Sequence, residues 1–131
     1  MPIITSLYAA VLALLLIVLA MRVVAARRSF RVGLGTGGHA QLESRVRAHG
    51  NAIEYVPMLL LLLLLLEACG LRAMWLHVLG IGIVVSRLLH AHGLARSHAT
   101  SFGRFAGAGL SFLLMVVMAI VLLVLVLPRM F

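Results

Sequence analysis

Four long apolar segments, separated by short polar ones, dominate the chain. They cover about residues 3–24, 48–69, 73–95 and 106–127, and each approaches the roughly 20 helical residues that cross about 30 Å of hydrocarbon. Helices are expected because backbone groups in lipid must find their hydrogen-bond partners internally. No charged region precedes the first segment and no small-residue cleavage site follows it, so we interpret it as a retained span. The pattern predicts one all-α integral membrane domain over residues 1–131.

The connections between these segments predict how the helices are arranged. Glycines mark the first connection, and the second is nearly a turn over residues 69–72. Short connections favour an antiparallel up-and-down four-helix bundle. On the last segment, Gly103, Gly107 and Ser111 recur at a spacing of four and form a seam of small residues. Such a seam suits packing within one subunit or between subunits equally well.

Charge is scarce and one-sided. The chain is 64% apolar and 11% charged, whereas a soluble domain is about a quarter charged. Its net charge of +8 comes entirely from arginine, since lysine and aspartate are absent. The arginines concentrate in the first and third connections, which predicts that both face the cytoplasm and that both termini lie outside. Because this charge lies at the membrane ends, lipid is an expected partner and nucleic acid is not.

One polar stretch, from Arg47 to Pro57, runs directly into eight consecutive leucines, Leu59 to Leu66. A charged side chain at bilayer depth costs about 3 kcal/mol even on lenient insertion scales, so such residues indicate a functional site by default. At helical spacing, Arg47, Asn51 and Glu54 are i, i+4 and i+7 and share one stripe. On the third segment, Arg87 and His90 share a face at a similar depth.

Two interpretations of these polar residues remain open. In the first, Glu54 pairs with Arg47 or Arg87, and the ion pairs hold helices together. In the second, the residues form a site for an anion, because arginines outnumber glutamates at this end of the spans. Arg104 supports the second interpretation, since it is expected at or just before the start of the fourth helix, where free backbone N–H groups add positive potential.

The remaining chemically active residue types indicate no second site. The histidines lack the spacing of metal ligands, so no metal is predicted, and a single cysteine excludes an intrachain disulfide. Cys69 lies about 22 Å along a helix from Glu54. Glu67 is expected at the outer interface near Arg72, with Trp75 in the aromatic belt there.

Together these residues resemble the MAPEG family, the membrane-associated proteins in eicosanoid and glutathione metabolism. The resemblance covers about residues 40–110 and is greatest for the small bacterial inner-membrane members. It is carried by the helix-2 motif and by positions that follow in the same order: Glu43-x-x-x-Arg47-x-His49-x-Asn51-x-x-Glu54-x-x-Pro57, then Trp75, Arg87-x-x-His90 and Arg104.

The resemblance implies a homotrimer in the inner membrane, with glutathione as co-substrate between neighbouring subunits near the cytoplasmic side. Arg104 matches the family arginine that stabilises the glutathione thiolate, and Glu54 suits the α-amino group. One of Arg27, Arg28 and Arg31 matches a further family arginine. The residues implied in glutathione binding are Arg47, His49, Asn51, Glu54, Arg87 and His90.

The function implied is a glutathione transferase or peroxidase that acts on small hydrophobic electrophiles. The alternative is a non-catalytic membrane protein whose stripe forms interhelical ion pairs or binds another anion or a lipid headgroup. Leu94, Phe105 and Ala108 stand where eicosanoid enzymes of the family often carry hydroxyl groups. Their presence argues against prostaglandin isomerisation and leaves thiol activation to Arg104 alone.

Overall fold

The protein consists of four long helices. The structure is a computed structural model that describes residues 1–96 and 102–130. For residues 94–96 it describes the backbone but not the side chains. Each helix is long and apolar enough to cross a membrane. The all-α architecture and its four candidate spans are thereby confirmed. In chain order the helices are α1 (Ile3–Phe30), α2 (Ala40–Ala68), α3 (Ala73–Arg96) and α4 (Phe102–Val126), followed by a short 3₁₀ turn (Leu127–Arg129).

Contacts between distant parts of the chain establish the antiparallel order. The Glu67 carboxylate near the end of α2 accepts hydrogen bonds from the backbone N–H groups of Ile4 and Thr5, at 2.9 and 2.7 Å. Arg129 donates to the Cys69 carbonyl at 3.2 Å. Both termini and the α2–α3 turn therefore lie together, at what we call the terminal end. The α1–α2 connection and the start of α4 lie at the opposite end, the loop end.

Glu67 has a more specific role than the sequence predicted. The sequence predicts its side chain at the outer interface near Arg72, and the structure adds a contact that the sequence does not predict, with the first turn of α1. Backbone N–H groups at a helix start lack partners within the helix, and the helix dipole favours negative charge there. Glu67 therefore ties the start of α1 to the end of α2.

The α1–α2 connection is shorter than the apolar pattern indicates, because α1 continues to Phe30 and α2 begins at Ala40. Arg31 ends α1 in the left-handed conformation, with φ of 55°. The Nη1 atom of Arg27 donates to the Gly35 carbonyl at 2.8 Å, and the rings of Phe30 and His39 stack at 4.3 Å. Arg27 thus holds this turn closed.

The leucine run divides between the core and the outer surface. Leu59, Leu63 and Leu66 are fully buried, whereas Leu61, Leu64 and Leu65 are exposed. The buried set follows i, i+4 and i+7, the spacing of one helix face. It packs with buried residues of the other helices, including Leu12, Leu76, Ile83 and Met118. The run thus contributes both to the core and to an exposed apolar surface of the subunit.

Gly107 permits the closest contact between α3 and α4. A Cβ atom at this position would lie 2.5 Å from the His90 backbone nitrogen and 2.7 Å from the Ser86 carbonyl oxygen. At Gly103 it would lie 3.2 Å from the Leu89 carbonyl oxygen. The seam of small residues therefore packs within the subunit, where it brings α4 against the His90 face of α3.

We expect Gly107→Ala to lower the free energy of unfolding by about 1–3 kcal/mol, because the added methyl group meets backbone atoms rather than a flexible side chain. Gly109→Ala is the matched control, since nothing lies within 4 Å of its added Cβ atom and alanine favours the helix. The measurement is the thermal unfolding midpoint of both variants in one detergent. Equal midpoints would show that α3 and α4 do not approach this closely.

Candidate functional site

A polar cavity of about 420 Å³ opens at the loop end of the bundle. Helix α2 contributes one face to it, α3 contributes His90, and α4 contributes Arg104 from its first turn. The structure thereby brings most of the predicted site residues together around one space. The lining residues are Val46, Arg47, Gly50, Asn51, Glu54, His90 and Arg104.

The local sequence explains how these side chains meet. Arg47, Gly50, Asn51 and Glu54 recur at three- and four-residue spacings, which place them on one face of α2. A Cβ atom at Gly50 would meet nothing within 4 Å, so this position leaves the cavity wall open. Arg104 lies where the sequence predicted it, in the first turn of α4, where the helix itself supplies no acceptors for the backbone N–H groups.

Within a single subunit, some residues that line the cavity are buried and others are exposed. His90 is buried and Asn51 is half-buried, whereas Arg47, Glu54 and Arg104 are exposed. Two guanidinium groups and one carboxylate line the cavity. The cavity is therefore positively charged at its open side and polar at its buried side, a combination that suits an anion carrying some positive charge of its own.

Arg87 is the most deeply buried cation of the described residues, with 2% of its surface exposed. Its Nη1 atom donates to the Asn51 side-chain oxygen at 2.8 Å, and its Nη2 atom donates to the Gly107 carbonyl at 3.3 Å and to the Ser111 hydroxyl. Its Nε atom donates to the Ser86 hydroxyl at 3.3 Å. The guanidinium also lies 5.6 Å from the centre of the Tyr55 ring. Arg87 thus joins α2, α3 and α4 through uncharged partners.

The predicted ion pair of Glu54 is not formed in the described part of the chain. Arg87 uses its donors on Asn51, Gly107, Ser111 and Ser86, and no ion pair joins Glu54 to Arg47 either. The ion-pair interpretation finds no support within a single subunit, because acceptors on three helices, two of them serine hydroxyls, satisfy Arg87 without a carboxylate. The carboxylate of Glu54 consequently remains available at the cavity.

The Arg87 contact determines which way the Asn51 side chain points. Arginine can only donate hydrogen bonds, so the atom of Asn51 that meets it must be the carbonyl oxygen Oδ1. The Nδ2 amino group then lies on the other branch of the carboxamide. Because Asn51 lines the cavity, this orientation offers its two N–H donors to a bound ligand.

Other predicted residues lie away from the cavity wall. Arg87 sits behind Asn51, and half-buried His49 is not among the lining residues, so ligand contact by either stays a prediction. Phe105 is exposed and Ala108 half-buried, whereas the side chain of Leu94 lies outside the described residues. Arg27 donates to loop carbonyls, and nothing in one subunit selects among Arg27, Arg28 and Arg31.

Sequence reasoning missed the role of two serines. Ser86 was not singled out, and Ser111 was noted only as a small residue, yet both hydroxyls bind Arg87 and Ser111 donates to Ser86 at 3.0 Å. Their signal is weak in sequence, because a serine in a membrane helix also satisfies its own backbone, as Ser86 does with the Ile83 carbonyl. The two hydroxyl groups meet at Arg87 only because of how α3 and α4 are oriented against each other, which the sequence does not show.

No metal centre competes with this site within the described part of the chain, where no three histidine, cysteine or glutamate side chains are grouped closely enough to hold an ion. The fold and the cavity define a four-helix membrane protein with an arginine-rich site at one end. The model of the MAPEG family matches residues 5–124. The chain therefore belongs to the MAPEG family, and the resemblance carried by the helix-2 motif is confirmed.

Named relatives agree with this assignment. The chain is 40% identical over 90 residues to "Inner membrane protein YecN" of Escherichia coli strain K12, a match that spans 69% of each chain. The protein of the same name from Escherichia coli O6:H1 matches to the same extent. Both names describe a membrane protein and state no substrate or reaction.

We expect Ser111→Ala to lower the free energy of unfolding by about 1–3 kcal/mol, because it removes an acceptor from the buried Arg87 guanidinium. Ser29→Ala, at an exposed position near the end of α1, is the matched control and should change little. Denaturant titration of both variants in mixed micelles provides the comparison. If the two serines proved equivalent, the Arg87 contacts would not be needed for the bundle.

Proposed function

We propose that this protein binds glutathione in the polar cavity and activates its thiol for transfer to small hydrophobic electrophiles dissolved in the bilayer. One observation carries the proposal: two exposed arginines, an asparagine whose oxygen is held by Arg87, and a glutamate with no ion pair among the described residues surround one cavity in a MAPEG-family chain. The cavity is of a suitable size, since sites for small molecules occupy about 300–1,000 Å³.

The chemical groups of glutathione match the cavity one by one. Its two carboxylates suit Arg47 and the Asn51 amide, because ionised acceptors form the stronger hydrogen bonds with such donors. Its α-ammonium group suits the Glu54 carboxylate, which forms no ion pair in the described part of the chain. The cavity thus supplies donors and an acceptor in the proportions that a dicarboxylate with one amine requires.

Arg104 is suited to the thiol. A free thiol has a pKa near 8.5, so only a few per cent is thiolate at neutral pH, and each unit of depression corresponds to about 1.4 kcal/mol. A guanidinium in the first turn of α4 favours the thiolate together with the N–H groups there. The thiol proton leaves to solvent, the sulfur forms a bond to the electrophilic carbon, and the leaving group departs with the electron pair.

The exposure of the site supports assembly as a homotrimer. Arg47, Glu54 and Arg104 are all exposed in one subunit, so a neighbouring subunit would complete the cavity wall. Such an arrangement corresponds to what the family resemblance implies. We place the protein in the inner membrane, following the name of its relatives, with the loop end towards the cytoplasm because that end carries more arginine.

Binding without turnover is the second candidate. It is favoured by the residues beside Arg104, where Phe105 and Ala108 supply no hydroxyl group to assist the thiolate. A carrier or sensor of glutathione would need the Arg47, Asn51 and Glu54 stripe but not Arg104. The two candidates therefore differ in what Arg104 does.

In lipid nanodiscs, glutathione should bind the wild type by calorimetry, and Asn51→Ala and Glu54→Gln should each weaken binding about tenfold, or about 1.4 kcal/mol. The control is Arg72→Ala, which removes an exposed arginine at the terminal end. Absence of binding by the wild type would overturn the proposal. Equal loss in the control would mean that net charge, rather than the cavity, attracts the ligand.

Arg104→Met should lower the rate of conjugation to 1-chloro-2,4-dinitrobenzene at least tenfold at neutral pH and move the pH profile of the rate upwards, because the thiolate loses its cation. Binding of S-methylglutathione, which has no thiol to ionise, should change far less. A wild type that binds glutathione but shows no conjugation or peroxide reduction would favour the carrier candidate instead.

A further inference from the structure

A second cavity, of about 480 Å³, lies between α1 and α3. It is on the other side of α3 from the polar cavity, since Leu88 and His92 lie on the face opposite His90. The groove, as we call it, takes no part in the function proposed above. Its lining residues are Leu15, Val18, Leu19 and Arg22 of α1 and Leu88, Leu89, Ala91 and His92 of α3.

The groove is apolar along most of its length and basic at one end. On α1, Leu15, Leu19 and Arg22 are i, i+4 and i+7, so Arg22 lies about 10 Å further towards the loop end than Leu15. Helix α3 runs in the same direction, from Leu88 to His92. Both walls therefore change from hydrocarbon to nitrogen-bearing side chains in the same direction. Among the residues that the structure describes, no acidic one lines the groove.

A second guanidinium lies near the basic end. The Nη1 atom of Arg45, on α2, donates to the Arg22 carbonyl at 3.3 Å. The exposed Arg22 side chain makes no hydrogen bond or ion pair within the described part of the chain. The other charged groups nearby on α2 do not neutralise it, because Glu43 is two residues from Arg45 and projects from the opposite side of the helix.

The depth of Arg22 agrees with the position of a lipid headgroup. Along the axis of α1, Arg22 lies about 28 Å from Ile3, the first residue of the helix. This distance is close to the roughly 30 Å thickness of the hydrocarbon core, so Arg22 lies near the membrane surface on the loop side. The floor of the groove is firm, since Leu19 and Ala91 are buried against Ala52 of α2. Its outer rim carries the exposed side chains of Val18, Leu88 and Leu89.

We propose that the groove binds an anionic glycerophospholipid from the loop-side leaflet, with the phosphate on Arg22 and one acyl chain along the leucines of α1 and α3. The basic end of the groove and the depth of Arg22 in the membrane both favour an anionic lipid as the occupant. A guanidinium matches phosphate oxygens in bidentate geometry, and basic pockets between transmembrane helices are suited to anionic headgroups. The proposal does not depend on glutathione binding.

The test is native mass spectrometry of protein released from nanodiscs of equal parts phosphatidylglycerol and phosphatidylcholine. The wild type should retain phosphatidylglycerol in preference, and Arg22→Gln should reduce that preference about tenfold, the effect expected for one lost phosphate contact. Arg28→Gln is the matched control, because it removes an exposed arginine of the same helix outside the groove. Equal lipid retention by wild type and Arg22→Gln would overturn the proposal.

Leu88→Trp tests the acyl-chain part without a change of charge. The Leu88 side chain is exposed in the groove, so a tryptophan ring at this position should fill the groove and release the lipid. Glutathione binding measured by calorimetry should stay unchanged. Full lipid retention by this variant would overturn the proposed acyl site. So would loss of subunit assembly on this substitution, because a neighbouring subunit would then be the occupant.

Inorganic phosphate titrated into wild type in the same mixed phosphatidylglycerol and phosphatidylcholine nanodiscs distinguishes a lipid from a free anion. It should displace no retained phosphatidylglycerol at millimolar concentration, because it lacks the acyl chain. Displacement at that concentration would contradict a lipid site and favour a simple phosphate site at Arg22.

Discussion

The structure depends on the hydrogen bonding of one buried cation. Arg87 is almost completely enclosed in a membrane-spanning bundle, where a guanidinium with unmet donors would be very costly. Its donors are met by Asn51 from α2, by Ser111 and the Gly107 carbonyl from α4, and by Ser86 from α3. These contacts require α4 to approach α3 closely, which the absence of a side chain at Gly107 permits.

The same cation prepares the cavity in front of it. Asn51 accepts from Arg87 through its oxygen, which leaves its amino group for the cavity that the residue lines. Glu54 forms no ion pair within the described part of the chain, so its carboxylate is left for the same cavity. The binding half of the proposed site is thus supported by three helices. The catalytic half depends on Arg104, beside Phe105 and Ala108, and is the less elaborate part of the site.

Much of this organisation could be predicted from spacing within single helices. The four helices, the Arg47, Asn51 and Glu54 stripe, the seam through Gly107 and the location of Arg104 all follow from periodicity along the chain. The partners of Arg87 and Glu67 could not be predicted, because they depend on how helices rotate against one another. Composition suggested that Arg87 needs a carboxylate, whereas hydroxyl and carbonyl oxygens of neighbouring helices satisfy it.

The most direct test of the proposed glutathione site is an electron cryomicroscopy map of the assembled protein in lipid nanodiscs with glutathione. The map should show a trimer with glutathione in the polar cavity. One glutathione carboxylate should lie near Asn51 Nδ2, the amine near Glu54 and the sulfur near Arg104. Arg87 should keep its hydrogen bond to Ser111. Glutathione bound outside the polar cavity would contradict the proposed function.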